Sequence, residues 1–362
     1  MLFHHFDFDD PSAIKNLRLQ IAEHSATWEF YLESYNYVVY KIFEKGLTRN
    51  YEFNCRAKAI MFLIRHTFEL CLKYNLNKTG QDIPFTHDLE ELIDAVKPAE
   101  RISPDFRIAV CMMNSDPDGA AYRYFKGYDN KPYFNNGERY ELGKVIEFCN
   151  RGFSTDQFYL PLLFPETDYR KRSTWWALTF HLGESQQLAH VRSQYDLTLE
   201  FIIEGLITDG WDINKLYLPI LFLIRHSLEI ALKYNISEIQ RFTSLIKDQD
   251  FSHEHSLARL FNVYNGFLNH LDISTLHSDT IKQMRNFQEK YSTLNEQIHI
   301  LDSNSRQFRF PVDKISKSMS IELRRINLIE ILKLYYYTDP FITFTNDVLE
   351  QSGLFVLRER AW

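Results

Sequence analysis

Residues 222–235 read FLIRHSLEIALKYN, and residues 62–75 read FLIRHTFELCLKYN. In each copy an apolar run is broken by Arg-His, then by Glu four residues after the Arg, then by Lys four residues after the Glu. At 100° per residue, Arg65, His66, Glu69 and Lys73 fall with Phe62 in one wedge about 100° wide, opposite Ile60, Met61, Ile64, Phe68, Cys71 and Leu72. Arg225, His226, Glu229 and Lys233 repeat the wedge. The spacing predicts a helix sunk in a core, with one polar stripe.

The repetition extends outward. YNYVVYKIFEKGL (35–47) and YDLTLEFIIEGL (195–206) precede the two segments, and HDLEEL from His87 and HSLARL from His255 follow them. Asp116 stands seven residues before Arg123 in YRY, and Asp302 seven before Arg309 in FRF. Four landmarks in one order predict an internal duplication. The expected boundaries are a first unit at 1–155, a linker at 156–185, a second unit at 186–345 and a tail at 346–362.

Each unit is expected to hold a long first helix (13–46; 186–206), a second with Arg-His, a third opening near the lone His, and a last one after the Asp and Arg. Asp10-Pro11 and Gly46 read as the ends of the first helix, and Thr86 or Ser252 as caps of the third. Pro219 is expected to delay regular helix until after it. Residues 125–140 read as a loop or small hairpin, and 274–300 as a long helical stretch.

The 362 residues suffice for two cores, and only 12 Gly and 11 Pro favour helices over a turn-rich β architecture. A net charge of −7 argues against broad nonspecific binding to nucleic acid and leaves room for a local basic patch. Cys55, Cys71, Cys111 and Cys149 form no CxxC pair, so reduced thiols are expected. SHEHS (252–256) lacks a completing ligand set for zinc, and no phosphate-binding glycine loop or serine elbow is present, so neither metal nor other cofactor is expected. The start carries no secretory pattern, and the longest apolar run, 216–224, is short of the roughly 20 residues of a membrane helix, so a cytoplasmic protein without membrane contact is expected.

The polar letters allow two readings. Arg65-Glu69-Lys73 is a helix ladder worth a few tenths of a kcal/mol per pair, or part of a functional pocket. His87 and His255, near helix N-termini, are capping groups or neutral proton acceptors. Asp116 and Asp302 read as carboxylate partners of a buried Arg. If YRY and FRF are extended, Arg123 and Arg309 point at the His-bearing helix; tethering to Glu69 or Glu229 is the alternative.

An Arg-His helix, a later His opening another helix, and an Asp followed by aromatic-Arg-aromatic before the last helix together resemble the HEPN superfamily, helical bundles widespread in prokaryotic toxin and phage-defence systems. The resemblance covers most of the chain and implies an all-α fold of two tandem HEPN-like bundles. It also implies metal-independent endoribonuclease activity at a site shared between them, with His66 and His226 in proton transfer and Arg65, Arg225, Arg123 and Arg309 steadying phosphate. Glu69, Glu229, Lys73, Lys233, His87, His255, Asp116 and Asp302 would form the supporting polar network. Nuclease members usually carry, at the start of the last helix, Arg, then four to six residues, then His. Arg123 and Arg309 lack that His, and only Arg18 and His24 show the spacing. The alternative is a noncatalytic HEPN-like module binding RNA, a nucleotide or a protein partner, including a second copy of the chain.

Overall fold

The computed structural model describes residues 6–20, 26–47, 53–127, 131–169, 171–184, 187–242, 249–303, 305–312 and 326–354. The chain is mostly helical. In order come α1 Pro11–Ile14, α2 Trp28–Gly46, α3 Ala57–Lys78, α4 Leu89–Ala95, α5 Pro104–Met113, β1 Arg139–Glu141, α6 Leu142–Arg151, α7 Arg172–Ala177, β2 Thr179–His181, α8 Leu188–Thr208, α9 Ile213–Phe242, α10 Leu257–His270, α11 Ser278–Leu301 and α12 Leu328–Gln351. No described helix is long and apolar enough to cross a membrane.

Four helices position everything that follows. α2 packs on α3 and α8 on α9, while α2 also lies against α9 and α3 against α8, so the two halves of the chain share one core. From Ala57 to Lys73 every residue of α3 is buried, polar ones included. The wedge therefore faces protein, and its charges must find partners inside.

Several local expectations are corrected. Asp10 does cap a helix, its carboxylate accepting from the Ser12 N–H, but that helix is the four-residue α1; the principal first helix starts at Trp28 behind a Thr27 cap. Gly46 is the last residue of α2, and the Phe53 ring lies on it, 2.7 Å from where a Cβ would stand; Gly205 is pressed likewise by Trp211. The caps of α4 and α10 are Asp88 and Ser256, directly after the histidines, rather than Thr86 and Ser252. α9 runs through Pro219 without delay. The lost N–H bond is outweighed there by burial of Leu216, Tyr217, Leu218, Ile220 and Leu221, each 0% exposed. α12 carries the helix past 345 to Gln351, and residues 355–362 lie outside the described residues. The 125–140 insert contributes a bridge between Lys126 and Pro132 and strand β1, which pairs antiparallel with β2 from the expected linker.

Candidate functional site

Glu69 is the hub of the first polar wedge. Its Oε2 accepts from Arg65 Nη1 at 2.7 Å, and its Oε1 from Lys73 Nζ at 2.6 Å and His87 Nδ1 at 2.9 Å. Arg65 donates onward from Nε to the Asp116 carbonyl (3.0 Å) and from Nη2 to the His87 carbonyl, and Lys73 donates to the Thr86 carbonyl (2.9 Å). The second wedge repeats this atom for atom. Arg225 Nη1 meets Glu229 Oε2 at 2.9 Å, and Lys233 and His255 meet Oε1 at 2.9 Å each. Arg225 reaches the Asp302 and His255 carbonyls, and Lys233 the Ser252 carbonyl. The ladder i, i+4 is thus real, but its cations also tie the two following segments to the helix. Burial alone would raise Glu69 and Glu229; Lys73, His87 and Arg65, and Lys233, His255 and Arg225, override it and hold both carboxylates well below their usual range.

His66 and His226 take a different path. His66 Nε2 donates to the carbonyl of Arg309, and His226 Nε2 to the carbonyl of Arg123, both at 3.0 Å, so each histidine binds the aromatic-Arg-aromatic segment of the other half of the chain. Tyr35 stands edge-on to His66 and donates to the Phe308 carbonyl; Tyr195 stands against His226 and donates to the Tyr122 carbonyl. Both residues are at most 1% exposed. Burial, the largest influence on each, drives His66 well below its ordinary value and His226 down to about 3, so both rings are neutral at pH 7. Between them the Phe62 and Phe222 rings stack at 4.5 Å and 17°, each also stacked on its own histidine.

The Asp-to-Arg spacing has an unforeseen meaning. YRY and FRF are turns rather than extended strands: Arg123 N–H and Tyr124 N–H both donate to the Ala120 carbonyl, and Arg309 and Phe310 N–H to that of Arg306. Asp116 Oδ1 accepts from the Ala120 and Ala121 N–H groups at 2.8 Å, as Asp302 Oδ1 does from Arg306 and Gln307. The residue three after each Asp is left-handed, Gly119 at φ +67° and Ser305 at φ 64°. Its carbonyl accepts from Arg123 Nε or Arg309 Nε at 2.7 Å. Asp and Arg serve one turn, seven residues apart, without touching each other. Neither expected Asp–Arg fork nor a tether from Arg123 or Arg309 to Glu69 or Glu229 forms. Asp116 and Asp302 only approach Arg65 and Arg225, with Oδ2 3.8 and 3.6 Å from Nε.

His87 and His255 are the accessible members of the set, with side chains 31% and 37% exposed. A carboxylate only accepts, so each Nδ1 carries the proton given to Glu, which leaves Nε2 as the acceptor of a neutral ring. The Glu69 carboxylate pulls His87 upward, but burial with Lys73 and Arg309 outweighs it and leaves the imidazole below its ordinary value. Phe310 borders His87, and Tyr124 borders His255, again from the opposite half of the chain. One difference separates the two places: Tyr124 adds a hydroxyl bond to Glu229 at 2.6 Å, which Phe310 cannot give Glu69.

Two anchors escaped the sequence reading although the repeat displayed both. Tyr35 and Tyr195 open the aligned upstream segments. Asn75 and Asn235 close the quoted ones, binding the Tyr159 backbone and the Ile342 carbonyl. A third, Lys58, has no charged equivalent, since Leu218 occupies the matching place. It is 1% exposed and donates to the Ala121 and Tyr124 carbonyls. Burial lowers it from 10.5 to about 8. The folded form resists protonation, so the penalty is full below pH 8 and disappears as pH rises towards 10.5, where the unfolded chain also loses the proton. Lys58→Met is expected to stabilise the protein by about 1–2 kcal/mol at pH 7 after loss of the two carbonyl bonds, with the gap closing above pH 8 in urea titrations. An unchanged gap from pH 7 to 10 would refute a charged, buried Lys58.

Of the expected catalytic set, then, His66 and His226 are sealed by the opposite half of the chain, Arg65 and Arg225 are consumed by Glu and carbonyl partners, and Arg123 and Arg309 stand in matched turns. Arg18 has no role in the site, and His24 lies outside the described residues. Among the described residues no three His, Cys, Asp or Glu side chains gather as a metal site. Compared with protein-family models, curated proteins and solved structures, the chain matches none.

Proposed function

We propose that the chain is a duplicated, tandem HEPN-like protein whose Arg-His helices clasp the two units together, and that it acts as a noncatalytic module engaging RNA or nucleotide phosphate. The observation that carries this reading is the fate of His66 and His226. Each is closed to solvent and gives its Nε2 proton to a backbone carbonyl of the other half. A general base must reach the proton that it removes, and neither ring reaches solvent.

The metal-independent endoribonuclease reading, of prokaryotic toxin or phage-defence type, is kept as the second because one observation favours it. Glu69–His87 and Glu229–His255 are oriented dyads whose histidine side chains are partly exposed, the arrangement by which a carboxylate fixes the tautomer of a proton-accepting histidine.

Total and transfer RNA incubated in EDTA with wild type, with His66→Ala/His226→Ala and with His87→Ala/His255→Ala separate the readings. Intact RNA throughout, with a mobility shift, is the expected result. Discrete cleavage that falls by about 100-fold or more only in the His87→Ala/His255→Ala protein would replace it with the nuclease reading.

A further inference from the structure

The two clasping turns are built alike but do not carry the same charge. Residues 116–119 read DPDG and residues 302–305 read DSNS, so the first turn has a second carboxylate, Asp118, where the second has Asn304. Asp116 is 0% exposed, and Asp118 stands at the surface. One backbone N–H, that of Ala120, donates to both, at 2.8 Å to Asp116 Oδ1 and at 3.0 Å to Asp118 Oδ1. Two carboxylates are thus held on a single nitrogen, and like charges so close resist ionising together.

The other oxygens show where a proton belongs. Asp118 Oδ2 accepts from the Tyr133 hydroxyl at 3.1 Å, and Asp116 Oδ1 accepts a second N–H, that of Ala121. Asp116 Oδ2 is enclosed and has no hydrogen-bond partner. Arg65 Nε lies 3.8 Å from it, but Arg65 gives its donors to Glu69 and to the Asp116 and His87 carbonyls. A proton on Oδ2 breaks no existing bond and relieves the repulsion from Asp118.

The surroundings agree. Burial raises Asp116, Arg65 and the Ala121 N–H lower it, and Asp118 raises it again, which leaves it at about 6 instead of 3.8. The other titratable groups facing it are Lys58 from α3, Tyr195 from α8, Tyr122 and Arg123 from its own turn, Tyr133 from the segment that follows, and His87, which borders Gly119. This turn is also what the first half extends to the second. Its Arg123 carbonyl accepts from His226, its Tyr122 carbonyl from Tyr195, and its Tyr124 hydroxyl donates to Glu229.

We propose that Asp116 and Asp118 form a proton-operated switch in the first of the two clasps: with one proton shared the turn that grips the second half is locked, and with both groups ionised it loosens. The second clasp has no such pair and serves as an internal control. A carboxyl group held above its unfolded value binds its proton more tightly in the folded chain, so the clasp is firm in acid and loses stability as pH rises through about 6. The switch does not depend on what the protein binds.

Hydrogen exchange of the full chain tests it, read by mass spectrometry on peptides covering 116–124 and 305–310 and corrected for intrinsic rate. Between pH 7.5 and pH 5 the protection of the first turn should rise roughly tenfold, and that of the second should not follow. Asp116→Asn keeps an acceptor for the two N–H groups without the charge, and should leave the first turn equally protected at both pH values. Asp118→Asn, a change at an exposed position, should move the midpoint to lower pH. Circular dichroism checks the fold of each variant. An equal pH response of the two turns in wild type, a response that survives in Asp116→Asn, or a midpoint that stays put in Asp118→Asn would overturn the switch.

Discussion

Replacing Glu229 with glutamine is expected to destabilise the protein by about 3–5 kcal/mol, because a buried carboxylate that balances several cations is being neutralised. Glu229 is 0% exposed and receives Arg225, Lys233, His255 and the Tyr124 hydroxyl. Glutamine keeps one acceptor oxygen but turns an amide donor towards Arg225 or towards Lys233, which only donate. Arg225 and Lys233 are then left charged in a site with no other carboxylate hydrogen-bonded to them. Urea unfolding followed by circular dichroism measures the loss. Glu69→Gln should cost a similar amount, less the share of the phenol bond, since Phe310 stands where Tyr124 does. A loss under about 1 kcal/mol at both positions would show that the hubs are not the counterions holding the wedges.

Phe222→Ala is expected to cost about 3–5 kcal/mol and to loosen the junction of the two halves as well as the core. The Phe222 ring is 0% exposed, stacks on Phe62 at 4.5 Å and on His226 at 5.6 Å, and has its counterpart in Phe62 on His66. Removing it opens a void beneath a four-ring stack that no backbone bond can close. A cycle of Phe62→Ala, Phe222→Ala and the double variant should give a coupling of about 0.5–1.5 kcal/mol, the value of a stacked aromatic pair beyond its area. Strict additivity would mean that the rings pack independently, and that the halves are joined elsewhere.

Much of this was legible in the chain. The period of apolar residues in FLIRHTFELCLKYN sets a helix buried on most of its faces, and its recurrence at 222–235 sets a second. Arg-Glu-Lys at i, i+4 spacing on one helix is local geometry, so the ladders Arg65-Glu69-Lys73 and Arg225-Glu229-Lys233 could be read before any tertiary contact was known. The expected caps, Thr86 and Ser252, stand two and four residues before the true ones, because their hydroxyls are also acceptors of the kind a cap supplies. Which residue caps depends on where the backbone leaves the extended region, and here Asp88 and Ser256 do so.

What the sequence by itself determined is therefore the helical class, the repeated order of landmarks and the contents of each polar stripe. The tertiary structure alone decided where those stripes point. His66 and His226 look like paired catalytic groups on a wheel, but the opposite half of the chain closes over both and takes their protons on backbone carbonyls. His87 and His255 look like caps, yet each binds a buried glutamate while its side chain stays partly exposed. A helix period fixes the angular position of a side chain about its own axis and carries no information on which other segment covers it. Burial and the proton acceptors of these histidines arise between residues 243 and 103 apart in the chain, and are set only when the two halves pack.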